Sequence, residues 1–393
     1  MKKVIIECTE NIIKTALLQN GNLIELIPSK KSSDFGVGDI FTGKIKRILK
    51  SGFAFIDIGS EKAAFLFFND KKELPLKEIK LKEGSDLAVQ IIREAEGEKG
   101  AAVTTALTLN GSLCVVSKGK GEIRISRKIT DPDLRSDIRE ALTDEPFSHF
   151  DIIIRTKAES FPLSALKTEA ESLIAELSQI ENTGQFRKAP ALLKKAESEA
   201  LTAIKAFRAD EDIEVITNSP EDYFGFIDPE KTFVPTLYNE EIPLFRRYFI
   251  ESKIDKLLKT KVWLKSGGWI TIEPTEAMVV IDVNTGKNNS RSHRDTVLKT
   301  NKEAAAEILS QIRLRNLSGM IIIDFINMPS EEDNKAVLQI LTEGAAHDRI
   351  STTVVGMTDL GLVLITRKKT GLPIAKILTT PCPCCGGAGH KIL

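Results

Sequence analysis

Two aspartates stand at the ends of apolar runs that are typical of buried strands. Asp282 follows Val279-Val280-Ile281, and Asp324 follows Ile321-Ile322-Ile323. Near-continuous apolar runs are typical of strands covered on both faces, so we expect each aspartate at the end of a doubly covered strand. A carboxylate there is costly unless it is paired or binds a metal ion. Oxygen ligands favour a hard cation, so the pair predicts a magnesium site at the edge of a sheet.

Asn284 lies two residues beyond Asp282, so in a strand both side chains point to the same face. Its amide could hold the aspartate in the orientation that binds metal, and a metal-bound water could attack a phosphoester. The alternative is that each aspartate caps a helix or turn that follows it. The residues alone leave both interpretations open.

A cluster of cysteines lies near the C-terminus, in Cys382-Pro383-Cys384-Cys385-Gly386-Gly387. The spacing lets Cys382 and Cys385 bind one zinc ion, but two thiolates fill only half of a tetrahedral site. A partner subunit or a local ligand such as His390 must complete it. Cys384 could compete as a ligand or remain a free thiol, and the remaining alternative is an accidental cluster or a redox pair. Uneven cysteine spacing favours metal binding in a reducing cytoplasm over a disulfide framework.

Composition excludes several classes of protein. The chain has 393 residues, 42% of them hydrophobic, and balanced charge with 55 basic and 55 acidic residues. It is therefore globular with several domains, and nucleic-acid contacts must rest on local patches. No apolar run approaches the roughly 20 residues of a membrane span. With no phosphate-binding G-x-x-x-x-G-K-S/T, no H-E-x-x-H and only four histidines, metal-activated water is the simplest mechanism.

The order of elements predicts an α+β chain. Five glycine-punctuated strands after residue 36 predict a small closed barrel, and residues 112–190 an α+β module. A long helix over 191–207 and the strand 212–217 could complete the core begun by residues 1–35, which would make the barrel an insertion. The final third alternates strands with helices over 295–315 and 331–346, including a hairpin around Ser266-Gly267-Gly268.

Three ordered segments carry a resemblance to a known family. TEAMVVIDVNTG, TNKEAAAEILSQIRLRNLSGMIIIDFINM and CPCCGGAG resemble the catalytic region of the ribonuclease E/G family, and the likeness runs from GDIFTGKI to the last cysteines. The resemblance implies that Asp282 and Asp324 bind magnesium and that Asn284 is hydrogen-bonded to Asp282. It also implies cleavage of single-stranded, A/U-rich RNA to 5′-phosphate and 3′-hydroxyl ends, on ribosomal precursors, messenger RNA or both.

The resemblance implies a domain order as well. An OB-fold would be inserted in a split RNase H-like domain, followed by a 5′-sensor and a DNase I-like α/β catalytic domain. The implied ranges are 1–35 and 190–258 for the RNase H-like domain, 36–108 for the OB-fold, 109–189 for the sensor, 259–378 for the catalytic domain and 379–393 for the zinc-link.

RNA-binding residues follow from matched positions. Phe55 and Phe65 match positions that stack on bases, and Lys99 matches a basic contact. Stacking rings with a cation are how OB-folds hold single strands, although phenylalanines in a small barrel are more often core.

A second set matches the pocket for a 5′-monophosphate. Arg155 and Thr156 would grip the phosphate and Val115 would flank it, whereas without the family they would be ordinary strand-end residues. Lys157 and a shortened loop depart from the family, so the preference for monophosphorylated ends stays open.

The resemblance also implies partners. One zinc ion would be shared by Cys382 and Cys385 of two subunits, giving a homodimer. Neither the small C-terminal domain nor the arginine-rich tail of longer relatives follows the cysteines, so we expect neither a tetramer nor a degradosome scaffold. Two alternatives remain, a non-catalytic protein that binds ribosomal RNA and a metal-dependent DNA nuclease or phosphatase. The intact carboxylates disfavour the first and the stacking residues the second.

Overall fold

The structure is a computed structural model, and it describes residues 1–31, 35–49, 52–67, 82–95, 99–208, 212–286, 293–380 and 382–384. Contacts divide the chain into two compact units, one of Met1–Ser32 with Ser198–Leu393 and one of Ser33–Glu197. Mixed helices and strands in both units confirm the predicted α+β class. Among the described helices, none combines the length and apolar character that crossing a membrane requires.

The chain opens with an antiparallel meander of β1 (Lys2–Cys8), β2 (Ile12–Gln19) and β3 (Asn22–Lys30). The turn between β2 and β3 places Asn20 and Gly21 at φ 50° and 77°. Two-residue hairpin turns need these left-handed conformations, which asparagine and glycine tolerate best. Asn20 and Gly21 therefore form the hairpin turn that their residue types favour.

A closed five-stranded barrel follows, as the sequence predicted. Its strands are β4 (Ile40–Leu49), β5 (Phe53–Asp57), β6 (Ala64–Phe67), β7 (Asp86–Arg93) and β8 (Ala102–Thr104). They pair in the order β4-β5-β6-β8-β7, and β7 pairs again with β4 to close the barrel. Every second residue of β5 and β6 points into its core.

The rest of this unit is a four-stranded sheet with a long helix packed on it. Its elements are β9 (Thr108–Asn110), β10 (Cys114–Lys118), β11 (Ile123–Ile125), α1 (Pro132–Ala141), β12 (Phe150–Ile154) and α2 (Leu163–Phe186). The strand order is β11-β12-β10-β9. Leu166, Ala170, Ile174 and Leu177 recur along α2 at helical spacing and pack into the core of this sheet.

The long helix predicted over 191–207 is wrong. The segment forms β13 (Ala191–Lys194), antiparallel to β4, and only then α3 (Glu199–Arg208). The buried carboxylate of Asp39 accepts hydrogen bonds from the Ala196 amide at 2.7 Å and the Lys195 ammonium at 2.9 Å, which fixes the chain between the two elements. Residues 191–194 thus extend the barrel sheet, and the boundary between the two compact units falls at Ser198.

The other unit resumes with elements that join the opening meander. They are β14 (Ile213–Thr217), α4 (Pro220–Asp222), β15 (Thr236–Leu237), α5 (Leu244–Arg247) and α6 (Ile250–Leu257). β14 runs parallel to β1, with Val4 beside Val215, and their side chains share one core. The predicted strand 212–217 therefore does extend the sheet that residues 1–31 begin.

The final third forms a six-stranded sheet in the order β16-β17-β18-β19-β21-β20. Its elements are β16 (Lys261–Trp263), β17 (Trp269–Pro274), β18 (Met278–Asn284), α7 (His293–Leu314), β19 (Gly319–Asp324), α8 (Glu331–Ala346), β20 (Thr352–Met357), β21 (Leu362–Arg367) and α9 (Ile374–Leu378). β18 and β19 are parallel, and the other pairings are antiparallel. Both predicted helices are present.

Helices α7 and α8 cover one face of this sheet, with Ile281 and Ile323 in the core between them. Burial alternates along β18 and β19, and Val280 and Met320 on the opposite side are 37% and 40% exposed. The expectation of doubly covered strands is therefore wrong, because apolar residues occupy an uncovered face as well. We call this uncovered side the open face: Lys261, Trp263, Trp269, Thr271, Val280, Asp282, Asn284, Met320, Ile322 and Asp324.

Candidate active site

The two aspartates lie side by side on the open face. Asp282 of β18 pairs directly with Asp324 of β19, and both side chains are exposed. Paired residues of neighbouring strands lie about 4.8 Å apart and point to the same face, so the two carboxylates can reach one cation. Although 41 residues separate them along the chain, the parallel register makes them direct neighbours.

Asn284 orients the first of these carboxylates. Its Nδ2 donates a hydrogen bond to Asp282 Oδ2 at 2.7 Å, the contact that the resemblance implied. The strand alternation places the two side chains on one face with a single residue between them. The amide restricts the rotation of the Asp282 carboxylate and leaves Oδ1 for another partner.

The donor set fits a magnesium ion. Asp282 and Asp324 offer oxygen atoms only, and magnesium commonly binds one or two protein carboxylates while keeping several waters. Within the described residues, no group of three or more histidine, cysteine, aspartate or glutamate side chains could hold a metal. Two exposed carboxylates match the one or two protein ligands that magnesium commonly takes.

A buried amide that sequence reasoning missed fixes the chain just after Asp324. Asn301 of α7 is fully buried, and its Nδ2 donates to the Ile326 carbonyl at 2.7 Å while its Oδ1 accepts from the Ile326 amide at 3.2 Å. An asparagine within the apolar pattern of TNKEAAAEIL was the signal that could have revealed it. Asn301 is a positioning residue for the strand end that carries Asp324.

A close approach between two backbones fixes the other side of the site. The turn between β16 and β17 needs Gly267 at φ +90°. A Cβ on Gly286 would lie 1.9 Å from the Gly267 carbonyl oxygen, and one on Gly268 would lie 2.6 Å from that of Asn284. Glu303 of α7 accepts hydrogen bonds from the amides of the same turn. The hairpin is therefore held against the end of β18.

A small cavity adjoins Asp324. Its volume is about 110 Å³, and Asn327, Met328, Asn334 and Leu360 contribute to its walls. This volume is large enough to hold water. Solvent can therefore occupy the space beside one of the two carboxylates.

Strands β5 and β6 carry their phenylalanines on the outside of the barrel. Phe55 and Phe65 pair directly across β5 and β6, and Phe55 is 39% exposed, so the core alternative is wrong for Phe55. Phe53 and Phe67 form a neighbouring pair on the same side, with ring centroids 4.7 Å apart. The alternation in FAFID and AFLF was the signal for these two further rings, which sequence reasoning missed.

Cations accompany this ring cluster. The Arg93 guanidinium lies 5.4 Å from the centre of the Phe65 ring, a second group that the sequence did not reveal. Lys99 is exposed and precedes Gly100, where a Cβ would lie 2.1 Å from the Ala63 carbonyl oxygen. That close approach places Lys99 near the start of β6, the strand that carries Phe65.

The predicted phosphate-binding residues lie at neighbouring strand ends. Arg155 donates from its guanidinium to Asn110 Oδ1 at 3.0 Å, and Asn110 pairs with Val115 across β9 and β10. Thr156 Oγ1 lies 2.8 Å from Ser126 Oγ. Asn110 and Ser126 are therefore additional polar groups of this cluster, because the strand pairings bring them to residues distant in sequence.

The predicted zinc ligands are only partly described. Cys382 and Cys384 are exposed, and Cys385 lies outside the described residues, so the zinc site stays a prediction. Cys8 and Cys114 differ from them because both are buried. Burial raises the pKa of the Cys8 thiol to about 11 and that of Cys114 to about 12, so both are protonated near neutral pH and are poor metal ligands.

Comparison with known proteins gives consistent matches. A sequence model of the Ribonuclease E/G family matches residues 108–370, a range that includes Arg155, Asp282, Asn284 and Asp324. Ribonuclease G of Escherichia coli is 32% identical over 412 aligned positions, covering 98% of this chain and 84% of that protein. Ribonuclease G of Haemophilus influenzae is 33% identical, covering 99% and 84%. Ribonuclease E of Nostoc is 33% identical, covering 91% of this chain and 54% of that protein.

Proposed function

The chain belongs to the ribonuclease E/G family, and we therefore propose that it is an endoribonuclease whose Asp282 and Asp324 hold the magnesium ion needed to cleave single-stranded RNA. The observation that carries this proposal is the direct pairing of the two aspartates on the open face, with Asn284 hydrogen-bonded to one of them. Exposure of both carboxylates leaves room for a polymeric substrate in front of the strands.

The chemistry follows from these residues. Asp282 and Asp324 provide the negative charge that binds the cation, and Asn284 keeps the Asp282 carboxylate in one orientation. When bound, magnesium neutralises phosphate charge and activates a water. Addition of water at phosphorus breaks the bond to the 3′-oxygen, so the upstream product has a 3′-hydroxyl and the downstream product a 5′-phosphate.

The remaining assignments complete the proposal. The barrel, with the rings of Phe55 and Phe65 and the Lys99 ammonium, would hold single-stranded A/U-rich RNA. Arg155, Thr156 and Val115 would favour RNA with a 5′-monophosphate. We assign residues 36–108 to an OB-fold, 109–189 to a 5′-sensor and 259–378 to a DNase I-like domain. The split RNase H-like domain would comprise 1–35 and 190–258.

Zinc and cellular role are part of the same proposal. Cys382 and Cys385 in a zinc-link over 379–393 would share one zinc ion with a second subunit, giving a homodimer. Purified dimers should contain zinc, and Cys382→Ser should lose both the zinc and the dimer. Measurement of zinc content and oligomeric state tests this. The proposed setting is the cytoplasm, in ribosomal RNA processing, messenger RNA decay or both.

The central experiment compares wild type with Asp282→Asn and Asp324→Asn. The substrate is a short A/U-rich RNA with a 5′-monophosphate, incubated with magnesium or with EDTA. Each substitution removes a carboxylate charge from the cation site, so we expect cleavage to fall roughly a thousandfold or more while RNA binding persists. Calorimetric titration with magnesium should show the matching loss of cation affinity.

Asp255→Asn is the matched control, because Asp255 is an exposed aspartate on α6 in the same unit. It should cleave and bind like wild type. Binding of RNA by wild type without cleavage would favour a non-catalytic RNA-binding protein. Cleavage of DNA at the same rate would favour a broader phosphodiesterase.

The 5′-end preference has its own test. Wild type should cleave 5′-monophosphorylated RNA faster than the same RNA with a 5′-hydroxyl, and Arg155→Lys should reduce that ratio because lysine lacks the guanidinium fork. Arg124→Lys, at an exposed arginine on the adjacent β11, is the control. Equal rates on both RNAs by wild type would remove the sensor from the proposal.

A further inference from the structure

The edge of the open face carries a group of side chains to which no function is yet assigned. Trp263 and Trp269 pair directly across β16 and β17, with ring centroids 5.5 Å apart and planes inclined by 60°. The Lys261 ammonium lies 4.1 Å from one ring centre and 3.8 Å from the other. Trp263 is 64% exposed, so a broad aromatic surface faces solvent beside a positive charge.

Strand register connects this group to the carboxylates. Lys261, Thr271, Asp282 and Asp324 form one row across four adjacent strands. Trp269 pairs with Asn284, the residue that holds Asp282. Two strand spacings, about 10 Å, separate Lys261 from Asp282, a distance that a neighbouring nucleotide of a bound strand can span.

The hairpin that carries the rings is fixed relative to the carboxylates. Its turn abuts Asn284 and Gly286 with no room for a Cβ at Gly268 or Gly286, and Glu303 anchors its amides. A surface held in this way can bind a base without first becoming ordered, which lowers the entropic cost of binding.

A purely structural role is the competing explanation. Cross-strand aromatic pairs stabilise hairpins, and a lysine above the rings adds to that effect. Such a role requires contact between the two rings only. It gives no reason for Trp263 to stand on the same face as the carboxylates and in the row of Asn284, or for Lys261 to stand in the row of Asp282 and Asp324.

We propose that Trp263, Trp269 and Lys261 form a stacking subsite for a nucleobase of the RNA strand, close to the phosphate that is cleaved. A base stacks on the exposed surface of Trp263, and the Lys261 ammonium attracts the adjoining phosphate. This inference rests on the proposed function, because it places the scissile phosphate between Asp282 and Asp324.

The chain offers a direct reporter, because Trp263 and Trp269 are its only two tryptophans. A single-stranded A/U-rich RNA labelled with a dye is titrated into Asp282→Asn in the presence of EDTA, which prevents cleavage. Tryptophan emission and dye anisotropy are recorded on the same samples. We expect emission to be quenched in step with the anisotropy rise, because a stacked base quenches an indole at contact.

Steady-state cleavage by otherwise wild-type protein separates binding from chemistry. Trp263→Ala should raise KM about 5- to 100-fold, the range for loss of one stacked base, with kcat changed little. Trp263→Phe keeps a ring and should retain most of the affinity. Phe186→Ala removes an aromatic side chain that is 88% exposed in the other unit and should leave KM unchanged. Thermal unfolding identifies any variant whose fold is weakened.

The outcomes separate the two proposals. A rise in dye anisotropy without quenching of tryptophan emission in Asp282→Asn overturns the subsite, and so does a KM that is unchanged in Trp263→Ala. Either result leaves the endoribonuclease assignment intact. Equal KM increases in Trp263→Ala and Trp263→Phe, accompanied by lower melting temperatures, would also overturn it in favour of the structural role. Absence of both binding and cleavage in wild type overturns the proposed function, and the subsite with it.

Discussion

The open face of the six-stranded sheet and the outer face of the barrel use the same alternation for different chemistry. In the barrel, buried Ala54 and Ile56 alternate with outward Phe53 and Phe55. In the sheet, buried Ile281 alternates with outward Asp282. Rings accompanied by cations can hold nucleic acid but cannot bind a metal, whereas paired carboxylates can. Under the proposed function, cleavage therefore takes place at the carboxylates of the sheet, and the barrel contributes RNA binding.

The two faces also differ in what supports them. Behind the sheet, Asp348 and Arg367 form a fully buried ion pair at 2.8 Å, and Arg367 also donates to the Leu317 carbonyl. In the barrel unit, the buried Asp39 is paired with Lys195, whose side chain is about half exposed. The sheet is therefore supported by a charge pair that is removed from water, Asp348 with Arg367. The corresponding pair in the barrel unit, Asp39 with Lys195, is partly exposed to solvent.

The substitution with the largest expected effect removes the support of the sheet. Asp348→Asn leaves the Arg367 charge buried without its partner and should lower the free energy of unfolding by about 3–5 kcal/mol. Urea unfolding followed by tryptophan emission reports on the sheet, because both tryptophans lie there. Asp359→Asn, in an exposed turn, is the control. A Tm and urea midpoint equal to wild type would show that this pair does not support the sheet.

The same pair has a pH dependence. Burial acts to raise the pKa of Asp348, but the hydrogen bond and charge of Arg367 outweigh it and hold that pKa below its ordinary value of 3.8. A depressed carboxyl pKa contributes stability that is fully present above the unfolded value and is lost as the pH falls through the folded one. The stability difference between wild type and Asp348→Asn should therefore narrow below about pH 4.

A substitution with a smaller expected effect tests whether cleavage depends on the end of β19. Asn301→Ala removes both hydrogen bonds to Ile326 and loosens the strand end that carries Asp324. We expect kcat to fall about 10- to 100-fold with RNA affinity retained, as for other groups that orient metal ligands. Asn301→Asp keeps one acceptor but sets a second one against the Ile326 carbonyl in a buried position, so its loss should be at least as large. Equal losses in kcat and RNA binding would point to general unfolding.

The substitution with the smallest expected effect tests RNA binding by the barrel. Phe53→Ala removes a ring beside the predicted stacking pair and should raise KM about 5- to 10-fold, the lower part of the range for a stacked base, without changing kcat. Phe186→Ala again serves as the exposed aromatic control. A fall in kcat instead would contradict the separation of binding from cleavage.

Much of this site could be predicted because its signals are local. Asp282 and Asn284 are two residues apart, so strand geometry alone places them together. The hairpin at Asn20-Gly21 follows from residues that tolerate left-handed backbone. The identity of the carboxylates, the barrel and the helices of the last third required no long-range information.

The tertiary structure decided the rest, because long-range register and coverage are not encoded in any short window. The parallel pairing of β18 with β19 places Asp282 beside Asp324, and it is set by how the apolar face packs on α7 and α8. The same packing leaves the other face open, which the apolar runs alone had suggested was covered. Long-range pairing also places Trp269 beside Asn284. In the other unit, residues 191–194 pair as a strand with β4 instead of continuing into a helix.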